Sequence, residues 1–222
     1  MSGAHTSRVV AIALRLGAAA LSITAMTYQL VAVHIPRGYS VPDYFWYFTN
    51  LSNIMISIVF VVSAVRLIRG RTDPSSTDVA LRGAAVVYIA FVGLVFNTLL
   101  TDVDISSITP WVNTVVHFVL PAAGIVDWIL WPPRRRIPLR VVGWWMVWPA
   151  VYAAASLVRE ALTGWYAYPF FSDDAVGGYG VVVALVGVMI VGFALLALGV
   201  RAVGNALGAR RWHREAEPAA AG

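Results

Sequence analysis

The sequence predicts an all-α fold, a polytopic membrane protein of six transmembrane helices. Hydrophobic residues make up 59% of the 222-residue chain and charged residues only 12%, about half the share usual in soluble domains. The mean hydropathy is +0.75. Six apolar runs each reach the roughly 20 residues that a bilayer demands, and short stretches of turn formers separate them.

The first run covers about residues 8 to 34. It exceeds the apolar core of a cleavable signal peptide and five more runs follow it, so it reads as a retained span. "HIPRGYSVPD" ends it. The second, about 46 to 66, opens on the unusually polar "FTNLSN" and closes at "GRTDPSSTD". The third, about 80 to 101, leads into "TDVDISSITP", and the fourth, about 111 to 131, stops at "WPPRRRIP". The fifth, about 141 to 160, gives way to "TGWYAYPFFSDDAVGG", after which the sixth covers about 178 to 201. One six-helix domain is therefore expected over residues 1–205, with a cytoplasmic tail, 206–222, whose "REAEPAAAG" has the composition of a disordered segment. No internal repeat interrupts this organisation.

All 16 basic residues are arginine, and the chain has no lysine and no cysteine. Schiff-base lysines, thiolate nucleophiles, disulfides and thiolate metal sites are thereby excluded. Arginines collect between spans two and three (Arg66, Arg69, Arg71, Arg82), between four and five (Arg134, Arg135, Arg136, Arg140) and in the C-terminal segment (Arg201, Arg210, Arg211, Arg214). The other connections carry Arg37 and Arg159 beside Asp43, Asp102, Asp104, Asp173 and Asp174. The positive-inside bias then places both termini in the cytoplasm. That bias accounts for the net charge of +5, and no nucleic-acid-reading motif accompanies it, so no nucleic-acid partner is expected.

Depth follows from orientation at about 1.5 Å per residue. Thr49 lies just inside the outer end of span two, and His117 lies about six residues, roughly 9 Å, inside that of span four. Gln29 and Asn97 reach a similar level on spans one and three. Asn53 follows Thr49 by four residues and Asn113 precedes His117 by four, so each pair shares a helix face. Together these six residues form a polar layer in the outer leaflet, where isolated polar groups would be costly. Intramembrane Thr often bonds back to its own helix, and Asn and Gln serve as interhelical glue as readily as they bind substrate. An ionisable His inside a span is a functional-site hypothesis by default. Asp127, near the cytoplasmic end of span four, is expected to pair with the cluster at Arg134 to Arg136 by snorkelling. The aromatic segment 163–171 reads either as an interfacial belt or as a lid over the polar layer.

The runs "FTNLSN", "WVNTVVHFVLP" and "GWYAYPF", in that order and spacing, resemble the androgen-induced membrane hydrolase family, that of the androgen-induced and androgen-dependent TFPI-regulating proteins, and its bacterial relatives. The resemblance covers about residues 44 to 172. It implies a six-span hydrolase of fatty acid esters of hydroxy fatty acids, located in a bacterial cytoplasmic membrane, with Thr49 as nucleophile and His117 as its partner. The substrate expected is a lipid ester drawn from the bilayer.

The chemistry of the residues agrees with that assignment. A threonine hydroxyl needs a base within hydrogen-bond reach, and at this depth only the His117 imidazole accepts a proton. Asn50, Asn53, Asn97, Asn113 and Gln29, with Tyr168 from the aromatic segment, are the candidates for binding substrate or its oxyanion. No carboxylate stands out to orient the imidazole. No metal or cofactor is expected, since no His-Glu-x-x-His pattern occurs. Two other classes remain: a small-solute transporter or channel, which would favour a midplane site and inverted repeats, and a non-catalytic lipid-binding membrane protein.

Overall fold

A computed structural model describes residues 2–101 and 103–216, with side chains from residue 5 to residue 209. Asp102, the end of the expected tail (217–222) and the side chains of Arg210, Arg211, His213 and Arg214 lie outside the described residues. Every regular element among the described residues is a helix. The elements in order are α1 (Ser2–Tyr28), prolonged by a π-helical turn over Gln29–His34; α2 (Val41–Trp46); α3 (Phe48–Ile68); α4 (Ser76–Leu99); α5 (Pro110–Thr114), joined by a π-helical turn over Val115–Val119 to α6 (Leu120–Leu130); α7 (Leu139–Thr163); α8 (Asp173–Val176); and α9 (Tyr179–Ala216).

Six helices are long and apolar enough to cross a bilayer: His5–His34, Phe48–Ile68, Ser76–Leu99, Pro110–Leu130, Leu139–Thr163 and Tyr179–Ala209. They match the six expected runs to within a few residues, except that the last continues well beyond 201, as part of a helix reaching Ala216. Large apolar side chains such as Ile23, Ile58 and Val188 lie exposed along them, as lipid-facing surfaces require. The chain is an integral multi-pass membrane protein.

It forms two compact units, Met1–Ile137 with Val200–Gly222, and Pro138–Gly199. In the first unit α1 packs on α3 and α6, and α4 packs on the same two helices, which closes an up-down-up-down bundle. Its core includes Ala85, Val87 and Ile89 of α4, Ile56 and Phe60 of α3 and Leu120 of α6, all buried. Local chemistry sets the helix ends. Ser75 and Asp78 form a reciprocal capping box at the start of α4, with Ser75 Oγ accepting from the Asp78 N–H at 3.1 Å and the Ser75 N–H donating to Asp78 Oδ2 at 2.9 Å. Pro110 opens α5, where its missing N–H costs nothing. After α6, the Ile137 N–H donates to Asn205 Oδ1 at 2.8 Å and the Ile137 carbonyl accepts from Arg201 Nε at 3.0 Å, which ties the connection to the last turns of α9.

In the second unit, α7 ends at Gly164, whose φ of +70° is a left-handed conformation that suits glycine. Arg159 of α7 lies over the Trp165 ring at 3.8 Å, Tyr168 stacks on Phe170, and Phe171 meets Phe170 and Tyr152 of α7 edge-to-face.

Candidate functional site

Thr49 is the second residue of α3 and is buried. Tyr47, which precedes the helix in an extended conformation, supplies no side-chain cap. The backbone N–H groups of this first turn have no acceptor within the helix, and they carry the positive end of its dipole. Two side-chain contacts set how the chain enters α3. Asn50 Nδ2 donates to the Tyr44 carbonyl at 2.7 Å, and the Tyr44 hydroxyl donates to the Met26 carbonyl of α1 at 2.8 Å. Burial pushes the Tyr44 hydroxyl well above its usual pKa and so keeps it a donor.

His117 sits in the π-helical turn, which is the local answer to Pro121 four residues later. Proline removes the N–H that would bond the His117 carbonyl and crowds it with its ring. The turn widens instead, and the Leu120 N–H reaches back to the Val115 carbonyl. Gly93 of α4 lies against this spot. A Cβ there would stand 2.9 Å from Pro121 Cβ and 3.4 Å from the His117 carbonyl oxygen, so only glycine lets the α4 backbone come so close.

The imidazole, 6% exposed, is held on two sides. Its Nδ1 is 2.8 Å from Asn113 Oδ1, and its face stacks on Phe96 with centroids 3.7 Å apart and planes 11° apart. An amide oxygen accepts but never donates, so Nδ1 is the donor in this contact, and whenever the ring is neutral its lone pair lies at Nε2. Asn113 is thus the orienting partner for which the sequence offered no carboxylate. The place of Phe96 on α4 carries no signal in the sequence apart from apolarity.

Asn53, fully buried, links the two helices. Its Nδ2 donates to the Thr49 carbonyl at 2.9 Å and to the Val116 carbonyl, next to His117, at 3.4 Å. Its Oδ1 and the Ser52 hydroxyl are buried without a hydrogen-bond partner among the described residues. A buried polar atom left in that state is costly unless something else satisfies it.

The remaining candidates separate from this group. Gln29 uses both ends of its amide on the connection before α5, donating to the Ser107 carbonyl at 2.9 Å and accepting from the Thr109 N–H at 3.1 Å, and so acts as a clamp. Asn97 is exposed and donates to the Gly93 carbonyl of its own helix at 2.7 Å; it does not join the buried set. Tyr168 belongs to the second unit, in the aromatic stack described above. No group of three or more His, Asp or Glu side chains suited to a metal ion occurs among the described residues.

Asp127 departs most from expectation. It is fully buried and pairs not with Arg134 to Arg136 but with Arg15 of α1 and Arg82 of α4. Arg15 Nε donates to Oδ1 at 2.7 Å; Arg82 donates to Oδ2 from Nε at 2.9 Å and from Nη2 at 2.7 Å. Arg82 was expected in a loop, but α4 begins at Ser76 and carries it inside the bundle. Its guanidinium lies 5.1 Å from the Trp128 ring, and the Trp128 indole in turn donates to the Val200 carbonyl at 2.9 Å over Gly204. This triad lies toward the end of the bundle remote from Thr49.

Comparison with protein-family models, with curated proteins and with solved structures yields no match to this chain.

Proposed function

We propose that the protein is an intramembrane lipid ester hydrolase, of the type acting on fatty acid esters of hydroxy fatty acids, with Thr49 as nucleophile and His117 as general base. The bond set of Asn53 carries this reading, since one amide nitrogen holds the backbone at Thr49 and the backbone beside His117. In the first step Thr49 Oγ1 attacks the ester carbonyl carbon while His117 Nε2 takes the hydroxyl proton. The carbonyl oxygen becomes an oxyanion facing the dipole and N–H groups of the first turn of α3. On collapse the ester C–O bond breaks, His117 returns the proton to the departing hydroxy fatty acid, and an acyl-threonine remains. Water, deprotonated by the same imidazole, then releases the fatty acid and restores Thr49.

Within this reading the site lies in the outer leaflet of a bacterial cytoplasmic membrane with both termini inside, and its substrate arrives by lateral diffusion. Each buried methylene contributes about 0.8 kcal/mol, so kcat/KM should rise steeply with acyl length. The test uses purified protein in nanodiscs, a fluorophosphonate probe and a long-chain ester. Wild type and Thr49→Ser should label and turn over, Thr49→Ala should do neither, and His117→Ala should lose about 100- to 10,000-fold in kcat. Full labelling of Thr49→Ala would move the nucleophile elsewhere. A wild-type protein inert to both reagents would make the buried polar cluster a binding site without chemistry.

A further inference from the structure

At the far end of α3 from Thr49, within the same unit, a cavity of about 440 Å3 opens between α1, α3, α4 and the stretches 71–74 and 131–134. That volume is within the 300–1,000 Å3 range of small-molecule sites. Six arginines line it: Arg8, Arg15, Arg66, Arg71, Arg82 and Arg134. Among the described residues three carboxylates oppose them, Asp73 and Asp78 in the wall and Asp127 between Arg15 and Arg82.

The carboxylates are already committed. Asp78 pairs with Arg66, and Asp73 is held from outside the lining by Arg135 at 2.9 Å. Asp127 is shared by two guanidiniums, which leaves excess positive charge where Arg15 is only 5% exposed. Arg8 donates to the carbonyl oxygens of Leu67 and Ile68, which hold a guanidinium without neutralising it. Arg71 and Arg134 have no carboxylate partner among the described residues. A positive-inside bias explains why arginines lie at one end of the bundle. It does not explain why six of them converge on one concavity, with Arg15 and Arg82 braced over Trp131 and Trp128. Uncompensated buried charge is costly, and the planar fork of arginine matches the oxygens of a phosphate.

We propose that this cavity is an anion site that takes a phosphate group, carried either by a small solute or by the head group of an anionic lipid. Basic pockets between transmembrane helices recognise lipid head groups through this chemistry, and free phosphate offers the same oxygens to arginine. The site is independent of the hydrolase reading, since it shares no residue with it.

The test follows thermal unfolding of the full chain in a neutral detergent by tryptophan fluorescence. One arm titrates inorganic phosphate at constant ionic strength against chloride. The other titrates phosphatidylglycerol against phosphatidylcholine in mixed micelles. A saturable rise in midpoint is expected with at least one phosphate source and not with chloride or phosphatidylcholine. A rise with phosphate identifies a solute site, and a rise with phosphatidylglycerol alone identifies a head-group site. The Arg71→Gln/Arg134→Gln double variant, which leaves the Asp127 triad untouched, should need at least about tenfold more ligand for half-saturation, as the loss of two charge-assisted contacts implies. No saturable rise in either arm, an equal rise with chloride, or an unchanged half-saturation in the double variant would overturn the proposal.

Discussion

Nδ1 of His117 lies 2.8 Å from Oδ1 of Asn113, four residues earlier on the same segment, while Phe96 stacks on the ring from α4. The amide selects the tautomer and the phenyl ring selects the plane. Under the proposed mechanism Asn113 acts through His117 and not on the substrate. Asn113→Ala should lower kcat by about 10- to 100-fold with little change in KM, because a misaimed base loses rate more than binding. Asn113→Asp, which keeps an acceptor in place, should recover part of that loss. In the wild type the rate should rise from acid pH and level off near neutrality, since the base works only when its imidazole is neutral. A fall in rate from pH 5 to 7 would contradict a basic role for His117.

Removing the shared carboxylate should be worse than removing either cation. Asp127→Asn strands two guanidiniums within the bundle and is expected to cost about 3–5 kcal/mol, read as a lower thermal midpoint in detergent. Arg15→Leu should cost less, because Asp127 keeps its bonds from Arg82. Equal midpoints for Asp127→Asn and wild type would mean that the triad does not hold the helices together.

Gly93→Ala sets a methyl group against a rigid ring. The new Cβ would stand 2.9 Å and 3.1 Å from two carbons of Pro121, which cannot rotate away, so α4 and the widened turn must part. Overpacking of this kind costs about 1–3 kcal/mol, and here it should also reduce ester turnover by displacing His117. Gly143→Ala is the contrast: apart from its own helix backbone and chain neighbours nothing lies within 4 Å of the new Cβ, and alanine favours the helix. Loss of stability at position 143 with none at 93 would reverse the packing argument.

Orientation is open to direct measurement in a chain without cysteine. Single cysteines at Ser40 and Ser106, both exposed, should react with an impermeant thiol reagent added to intact cells, and one at Ser76 should not. Ser172 is buried and would be a poor reporter whichever side it faces. Labelling at Ser76 alone would turn the bundle over and put the Thr49 site in the inner leaflet.

The six spans were legible in the sequence because the bilayer imposes length and apolarity on each helix separately, so no knowledge of neighbours is required. Helical rise and spacing likewise placed Asn53 one turn from Thr49 and Asn113 one turn from His117. Which polar groups then meet was decided by packing. Gln29, Asn50 and Asn97 have the same chemistry as Asn53 and Asn113, yet the fold turns the first to a loop, the second to the end of α2 and the third to an exposed face. Asp127 shows the same limit: its neighbours in sequence are Arg134 to Arg136, but α1 and α4 bring Arg15 and Arg82 to it from 112 and 45 residues away. An amide or a charge bonds to whatever partner the bundle brings within about 3 Å, and that distance belongs to the packed helices, not to any one of them.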